Sequence, residues 1–388
     1  MNKELYDIIK YLESAESPET VLATVVDVKG SSYRLPGARM LITERGGQTF
    51  GMVSGGCLER DVIERARRVL ETGAAQVFTY DTTRDENSVF SLNMGCRGVI
   101  RILLETASGE SLWLKTLRGA AENRKRQAVA TLVAAYSAGD VKIGGKILYS
   151  SCGQFRFENL PRLPEKFSKI KNDCIRLLSE NGNAGLRVYE IENEKFEFFL
   201  EIIEPPVALL IFGAGADAVP LAEIGAGLGW QIIIADHRPA FLNKERFPRA
   251  AKLVLYNSEN LPWKITVDDR TAGVVMTHNY EHDREILPCL LNSDAFYVGA
   301  LGPKRRTDNL LRELKDRGDR FGDRQLRKLF APVGLNIGAD TPEAIALSIA
   351  AEIQAVHKAR PAGFLRDKKG SINDHKALNA VATHCIAS

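Results

Sequence analysis

One stretch limits what this chain can fold into more than any other: Val207-Ala208-Leu209-Leu210-Ile211-Phe212-Gly213-Ala214-Gly215-Ala216-Asp217-Ala218. A continuous apolar run cannot form a strand with one wet face, so Val207–Phe212 is expected to be buried on both faces, as in a parallel sheet. The Gly-x-Gly-x-x-Ala that follows opens a helix predicted over Pro220–Leu228, and a second apolar strand, Gln231–Ala235, runs into Asp236. Strand, glycine turn, helix and a strand closing on an acid make the dinucleotide-binding arrangement. Gly213 permits the tight turn, Gly215 beyond Ala214 lets a pyrophosphate approach the backbone, and Ala218 lets the helix pack close to the strand. Asp236, 23 residues beyond Gly213, stands where a carboxylate receives two ribose hydroxyls. That favours NAD, whereas Arg238 two residues on would pair with the 2′-phosphate of NADP, unless it is a solvated loop residue ahead of Pro239. The same pattern also fits a fold of this type whose cleft is empty or put to another use.

The rest of the C-terminal half repeats the alternation. Strands are predicted at Lys252–Tyr256, Gly273–Thr277 and Ala295–Val298, and a long helix follows Thr341-Pro342-Glu343, with Thr341 as N-cap and Pro342 in the first turn. The fold class is therefore α/β: a C-terminal Rossmann-like doubly wound parallel sheet over 207–388, plus a smaller N-terminal α+β domain over 1–107. Between them, 108–204 reads as a variable α+β segment packed with the N-terminal domain, including a Gly139-Asp140 turn. It ends at the stiff Pro205-Pro206. No internal repeat is visible.

Charge and cysteine usage exclude several classes. A net charge of +3 over 388 residues argues against nucleic acid or an anionic membrane as partner. The longest apolar runs fall far short of the ~20 residues that span a bilayer, and the first residues lack the pattern of a signal peptide. Six cysteines without a CxxC pair form neither a disulfide framework nor a zinc knuckle, which points to free thiols in the cytoplasm. The basic run Lys304–Lys328 holds ten Lys/Arg against five Asp/Glu. It reads first as a solvated helix pair and otherwise as a docking face for an acidic partner.

Two loops carry thiols. Ser54-Gly55-Gly56-Cys57 lies between a strand and a helix predicted from Leu58. Free N–H groups, the helix dipole and the Cys57 thiol would meet there, favouring thiolate as a nucleophile or a soft-metal ligand; the plain alternative is a small residue filling a tight turn. Cys96 sits in a second glycine-rich turn, Gly95-Cys96-Arg97-Gly98. Past the fourth C-terminal strand, Thr277 and His278 stand where ligands bind such a sheet. His278 is a candidate catalytic or hydrogen-bonding residue, and with His282 a weaker candidate metal pair.

Taken in order, these segments resemble the XdhC/CoxI accessory proteins. The resemblance rests on Gly30-Ser31-Ser32-Tyr33-Arg34, Pro36-Gly37-Ala38-Arg39-Met40, Ser54-Gly55-Gly56-Cys57-Leu58-Glu59 and Phe212-Gly213-Ala214-Gly215. It extends through Asp236-His237-Arg238, Arg246-Phe247-Pro248, Thr277-His278, Tyr297-Val298-Gly299 and Pro332–Gly338 with Thr341-Pro342-Glu343. It implies a cytoplasmic chaperone that binds molybdenum cofactor (molybdopterin), keeps its sulfurated form and delivers it to a xanthine dehydrogenase-type hydroxylase. It further implies a sulfur-donating cysteine desulfurase as partner, homodimer formation, and Cys57 as a molybdenum ligand. The family's second loop usually reads Gly-Cys-Gly-Gly, so Arg97 is a departure that weakens the carry-over to Cys96. The chain is too short, and its cysteines too scattered, to house the iron–sulfur clusters of a molybdenum hydroxylase itself. A different class, an NAD(P)-dependent oxidoreductase or a nucleotide-sensing regulator, would use the same fold.

Overall fold

The computed structural model describes residues 3–14, 19–43, 49–81, 98–136, 141–150, 152–160, 167–180, 182–257 and 265–369; Cys96, the Gly139-Asp140 turn and Cys385 lie outside them. The chain divides into two units, Met1–Pro205 and Pro206–Ser388.

The first unit is one plan built twice, which corrects the expectation of no internal repeat. Helix α1 (Lys3–Ser14) leads into β1 (Thr20–Gly30), β2 (Arg39–Thr43), β3 (Thr49–Gly51), α2 (Glu59–Thr72), β4 (Gln76–Asp81) and β5 (Gly98–Ala107). The same succession follows as α3 (Leu112–Glu122), β6 (Gln127–Ala135), β7 (Lys146–Ser150), β8 (Phe155–Glu158), α4 (Ser168–Ser179), β9 (Gly185–Ile191) and β10 (Glu194–Ile203). The two antiparallel sheets have the orders β3-β2-β1-β5-β4 and β8-β7-β6-β10-β9. Side chains alternate across each strand. Val21, Ala23 and Val25 therefore face Val62, Ala66 and Val69 of α2. In the second sheet Phe196, Phe198 and Leu200 face Ile170, Cys174 and Leu177 of α4.

The opposite faces meet through Val26 and Leu103 of one sheet and Val133 and Phe199 of the other. Register shows the equivalence: Thr24 lies beside Arg39 and Leu103, and Thr131 beside Lys146 and Phe199. Each repeat also sends a cation to the other's carboxylate, Arg39 to Glu201 and Lys146 to Glu105, all four largely buried. Each cation also bonds a glycine carbonyl two residues back, Arg39 to Gly37 at 3.1 Å and Lys146 to Gly144 at 3.0 Å. The edge strand β8 escapes sequence reading because its Phe155-Arg156-Phe157-Glu158 alternation spans only four residues.

The second unit is a six-stranded parallel sheet of order β13-β12-β11-β14-β15-β16. Its elements are β11 (Ala208–Phe212), α5 (Ala218–Gly227), β12 (Gln231–Asp236), β13 (Ala250–Leu255), β14 (Thr271–Val275), α6 (Tyr280–Asn292), β15 (Tyr297–Ala300), α7 (Lys304–Arg317), α8 (Asp323–Leu326), β16 (Leu329–Phe330) and α9 (Pro342–His357). Every residue of β11 is buried, as a central parallel strand requires. Leu209 and Ile211 pack toward α5 and α9, and Leu210 and Phe212 toward α6 and α7. Thr341 caps α9 through the Ala344 N–H, as its sequence position suggests. The two-residue β16 was not expected; the stacking of Phe330 on Tyr297, with ring centroids 4.6 Å apart, holds it at the edge.

Candidate functional site

The glycine loop sits between the carboxyl ends of β11 and β14, where the strand order reverses and open α/β sheets bind ligands. Gly213 has φ +114°, and a Cβ there would lie 2.3 Å from the Met276 carbonyl oxygen, so only glycine makes this turn. Ala214 and Ala218 are fully buried behind it. Asp236 is 1% exposed. Its carboxylate accepts from the Ala214 N–H at 2.6 Å and from Arg238 through the backbone N–H at 2.8 Å, Nε at 3.0 Å and Nη2 at 2.8 Å. Burial pushes this carboxyl up, but the Arg238 guanidinium and the two backbone N–H groups outweigh it and hold the pKa down at about 2. A carboxylate has about four acceptor sites. With four N–H donors in place, ribose hydroxyls would reach Asp236 only after Arg238 moves away. Arg238 also lies over the Phe241 ring, 4.1 Å from its centroid, so it neither hangs in solvent nor points outward to a 2′-phosphate.

Asp217, at the N-cap of α5, is the residue that sequence reasoning missed here. Its side chain makes no capping bond and instead reaches His278 Nε2 at 2.7 Å. A Cβ on Gly215 would lie 2.6 Å from Asp217 Oδ1, so this carboxylate occupies part of the open face that Gly215 leaves. His278 holds the contact in a left-handed backbone conformation, φ +56°, and is exposed. Sixty-one residues separate the pair, so no local pattern announces it. Thr277 anchors the turn: its hydroxyl lies 2.5 Å from Asp283 Oδ1 and accepts from the Asn279 N–H. Asp283 in turn receives Arg306 at 2.8 Å. His278 and His282 do not converge on a metal. His282 stacks on His237, and among the described residues no group of three or more His, Cys, Asp and Glu is placed to hold an ion. The basic run is partly committed within the fold, Arg306 to Asp283 and Arg317 to Glu285 and Asp319.

In the first unit, Ser54-Gly55-Gly56-Cys57 forms a tight turn into α2, with Cys57 exposed at its tip. Three of the N–H groups there, those of Ser54, Gly56 and Leu58, are engaged. The Ser54 hydroxyl accepts from the N–H groups of Gly56 and Leu58 and donates to Glu59, whose other oxygen takes the Ser54 N–H at 2.8 Å. The Cys57 thiol reaches the same hydroxyl at 3.4 Å. The turn is thus a closed polar knot that holds one exposed sulfur. The exposed Tyr33 ring packs on Gly55, where an added Cβ would lie 3.4 Å from it. The loop therefore offers an exposed thiol two residues beyond the glycine on which an aromatic ring packs.

Together, a pseudo-twofold α+β unit with an exposed thiol turn and a Rossmann unit with a self-bonded glycine cleft define the class of protein. The description "XdhC Rossmann domain" matches residues 209–353, and "XdhC and CoxI family" matches residues 14–81. A Bacillus subtilis protein, named as a probable xanthine dehydrogenase component, is 31% identical over 358 residues, covering 88% of this chain and 94% of its own. The chain therefore belongs to the XdhC and CoxI family. The "Molybdenum cofactor insertion chaperone PaoD" of Escherichia coli is 23% identical over 336 residues, 87% of this chain and 83% of its own. A solved structure described as a xanthine dehydrogenase from Bacillus halodurans superposes with a TM-score of 0.72 at 28% identity, covering 94% of this chain and 98% of its own.

Proposed function

We propose that this chain is an accessory factor that carries molybdenum cofactor and hands it to a xanthine dehydrogenase-type hydroxylase. The observation that carries the reading is similarity along nearly the whole chain, through both units, to a family that includes an insertion chaperone. The site chemistry agrees with it. A carrier needs a soft, reachable ligand for the metal end of its cargo, and Cys57 is an exposed sulfur held on a rigid turn. Ser54 and Glu59 fix that turn, and Tyr33 places an aromatic face beside it. In this reading Cys57 ligates molybdenum, a cysteine desulfurase renews the terminal sulfur, and the working form is a homodimer in the cytoplasm. An NAD(P)-dependent oxidoreductase fits less well, because Asp236 and Arg238 are bonded to each other rather than open to a ribose.

The test is co-purification. Expressed in a cell that makes the cofactor, the wild-type chain should carry molybdenum and a fluorescent pterin. Cys57→Ser should fold normally yet retain several-fold less of both and activate an apo-hydroxylase correspondingly less. Full retention and activation by Cys57→Ser would remove the thiol from the mechanism, and absence of cofactor from the wild type would overturn the reading.

A further inference from the structure

Four rings from four elements meet at the carboxyl edge of the second unit's sheet: Phe212 at the end of β11, His237 past β12, Tyr256 past β13 and His282 in the first turn of α6. His237 and His282 lie face to face, with centroids 4.2 Å apart and planes 22° from parallel. Tyr256 stands edge-on to His282 at 6.0 Å and to Phe212 at 5.9 Å. Tyr256 is only 3% exposed, and its hydroxyl finds no hydrogen-bond partner among the described residues. That hydroxyl feels the charges of Asp236 and Asp283. The Tyr256 ring also lies 6.2 Å from His237, so the buried tyrosine packs against both members of the imidazole stack. Nδ1 of His237 is also buried without a hydrogen bond, 3.4 Å from Asp236 Oδ1. A buried polar atom without a hydrogen bond destabilises a fold, and here two lie around one ring stack. A ligand that supplies partners to both relieves that cost.

We propose that His237 and His282 form a closed slot for a planar nitrogen heterocycle, with the Tyr256 hydroxyl and His237 Nδ1 as its hydrogen-bonding floor. The rings separate by one ring's thickness on entry, and only a flat group keeps contact with both. An aromatic hydrocarbon would leave the floor unsatisfied, whereas a ring edge bearing lactam and amino groups offers both an acceptor and a donor. Burial, and then the neighbouring His282, hold His237 below the usual histidine range, which favours the neutral ring with one donor and one acceptor nitrogen. Pterins and nucleobases share this chemistry. The slot deepens the carrier reading and rests on it for its link to the cargo.

Titration calorimetry on the full chain tests the slot, with 6-hydroxymethylpterin in one arm and CMP and AMP in the other. The wild type should bind at least one class, and whichever binds identifies the occupant. Tyr256→Phe keeps the ring and should weaken binding about tenfold, and His282→Ala, which removes one stacking face, by about tenfold or more. Tyr256→Phe should also raise the melting temperature of the ligand-free protein, because an unsatisfied hydroxyl is gone. Two results overturn the slot: no binding of either class, or wild-type affinity in Tyr256→Phe whatever its melting temperature. If His282→Ala fails to fold, Tyr256→Phe decides alone. Molybdenum retention by wild type alongside unaltered probe affinity in the variants would sink the slot and leave the carrier reading standing. Heterocycle binding lost in the variants, with no molybdenum in wild type, would sink the carrier reading and keep the slot.

Discussion

Asp236→Asn isolates the central bond set of the Rossmann cleft. The carboxylate ties three things together: the glycine loop through the Ala214 N–H, the end of its own strand, and the Arg238 side chain. Its pKa, held at about 2 against an ordinary value of 3.8, corresponds to about 2 kcal/mol of stability at neutral pH. Asparagine keeps the shape but has one acceptor oxygen, and its amide group turns two donors toward N–H groups that already donate. The expected loss is therefore about 2 kcal/mol, since the Arg238 side chain, 39% exposed, keeps access to water once its counter-charge is gone. Because the native pKa lies below the unfolded one, the unfolded state takes up this proton first as pH falls. The contribution is complete above about pH 5 and disappears progressively toward pH 2. Hydrogen exchange of peptides covering β11 and β12 reads the stability of this unit directly. Wild type should lose protection steeply between pH 5 and 3, and Asp236→Asn should start lower and show a shallower acid slope. Equal protection at pH 7 together with an unchanged acid slope would show that the carboxylate is not held by these donors, and the account of the cleft as self-bonded would fail.

Two further contrasts follow from the packing. Gly213→Ala drives a methyl into the Met276 carbonyl at an unfavourable φ and should destabilise the second unit by about 3 kcal/mol or more. Gly215→Ala meets only the movable end of the Asp217 side chain and should cost far less; thermal melting of the two variants should separate them clearly. In the first unit, Arg39→Met leaves Glu201 buried and unpaired and should cost about 3–5 kcal/mol in urea unfolding, whereas Arg39→Met with Glu201→Leu should recover most of it. An additive double mutant would mean that the two side chains do not act as a pair.

What was legible in the sequence is what depends on local constraint. A strand buried on both faces must be apolar throughout, so β11 and the parallel sheet announce themselves, and a turn at φ +114° against a carbonyl leaves only glycine, so Gly213 does too. The repeat in the first unit was illegible because its equivalences lie in pairing partners rather than in residue identity. Gly37-Ala38-Arg39 and Gly144-Gly145-Lys146 share only a glycine and a cation, and nothing local says that each cation crosses to the other repeat's glutamate. The cleft was half legible: the spacing of Asp236 from the glycine loop could be read, but not the competition of Arg238 for its oxygens, nor the Asp217–His278 contact. This division changes what the recognised segments mean. Pro36–Met40 helped mark the resemblance, yet its arginine is buried against Glu201 and over the Trp113 ring, 5.1 Å from the centroid. That segment reports the pseudo-twofold fold. Ser54–Glu59 differs in kind, since its serine and glutamate complete a closed hydrogen-bonded turn while its cysteine takes no part in a core and stays exposed. A thiol that packing does not require, on a turn this constrained, is the residue at which Cys57→Ser tests chemistry apart from folding.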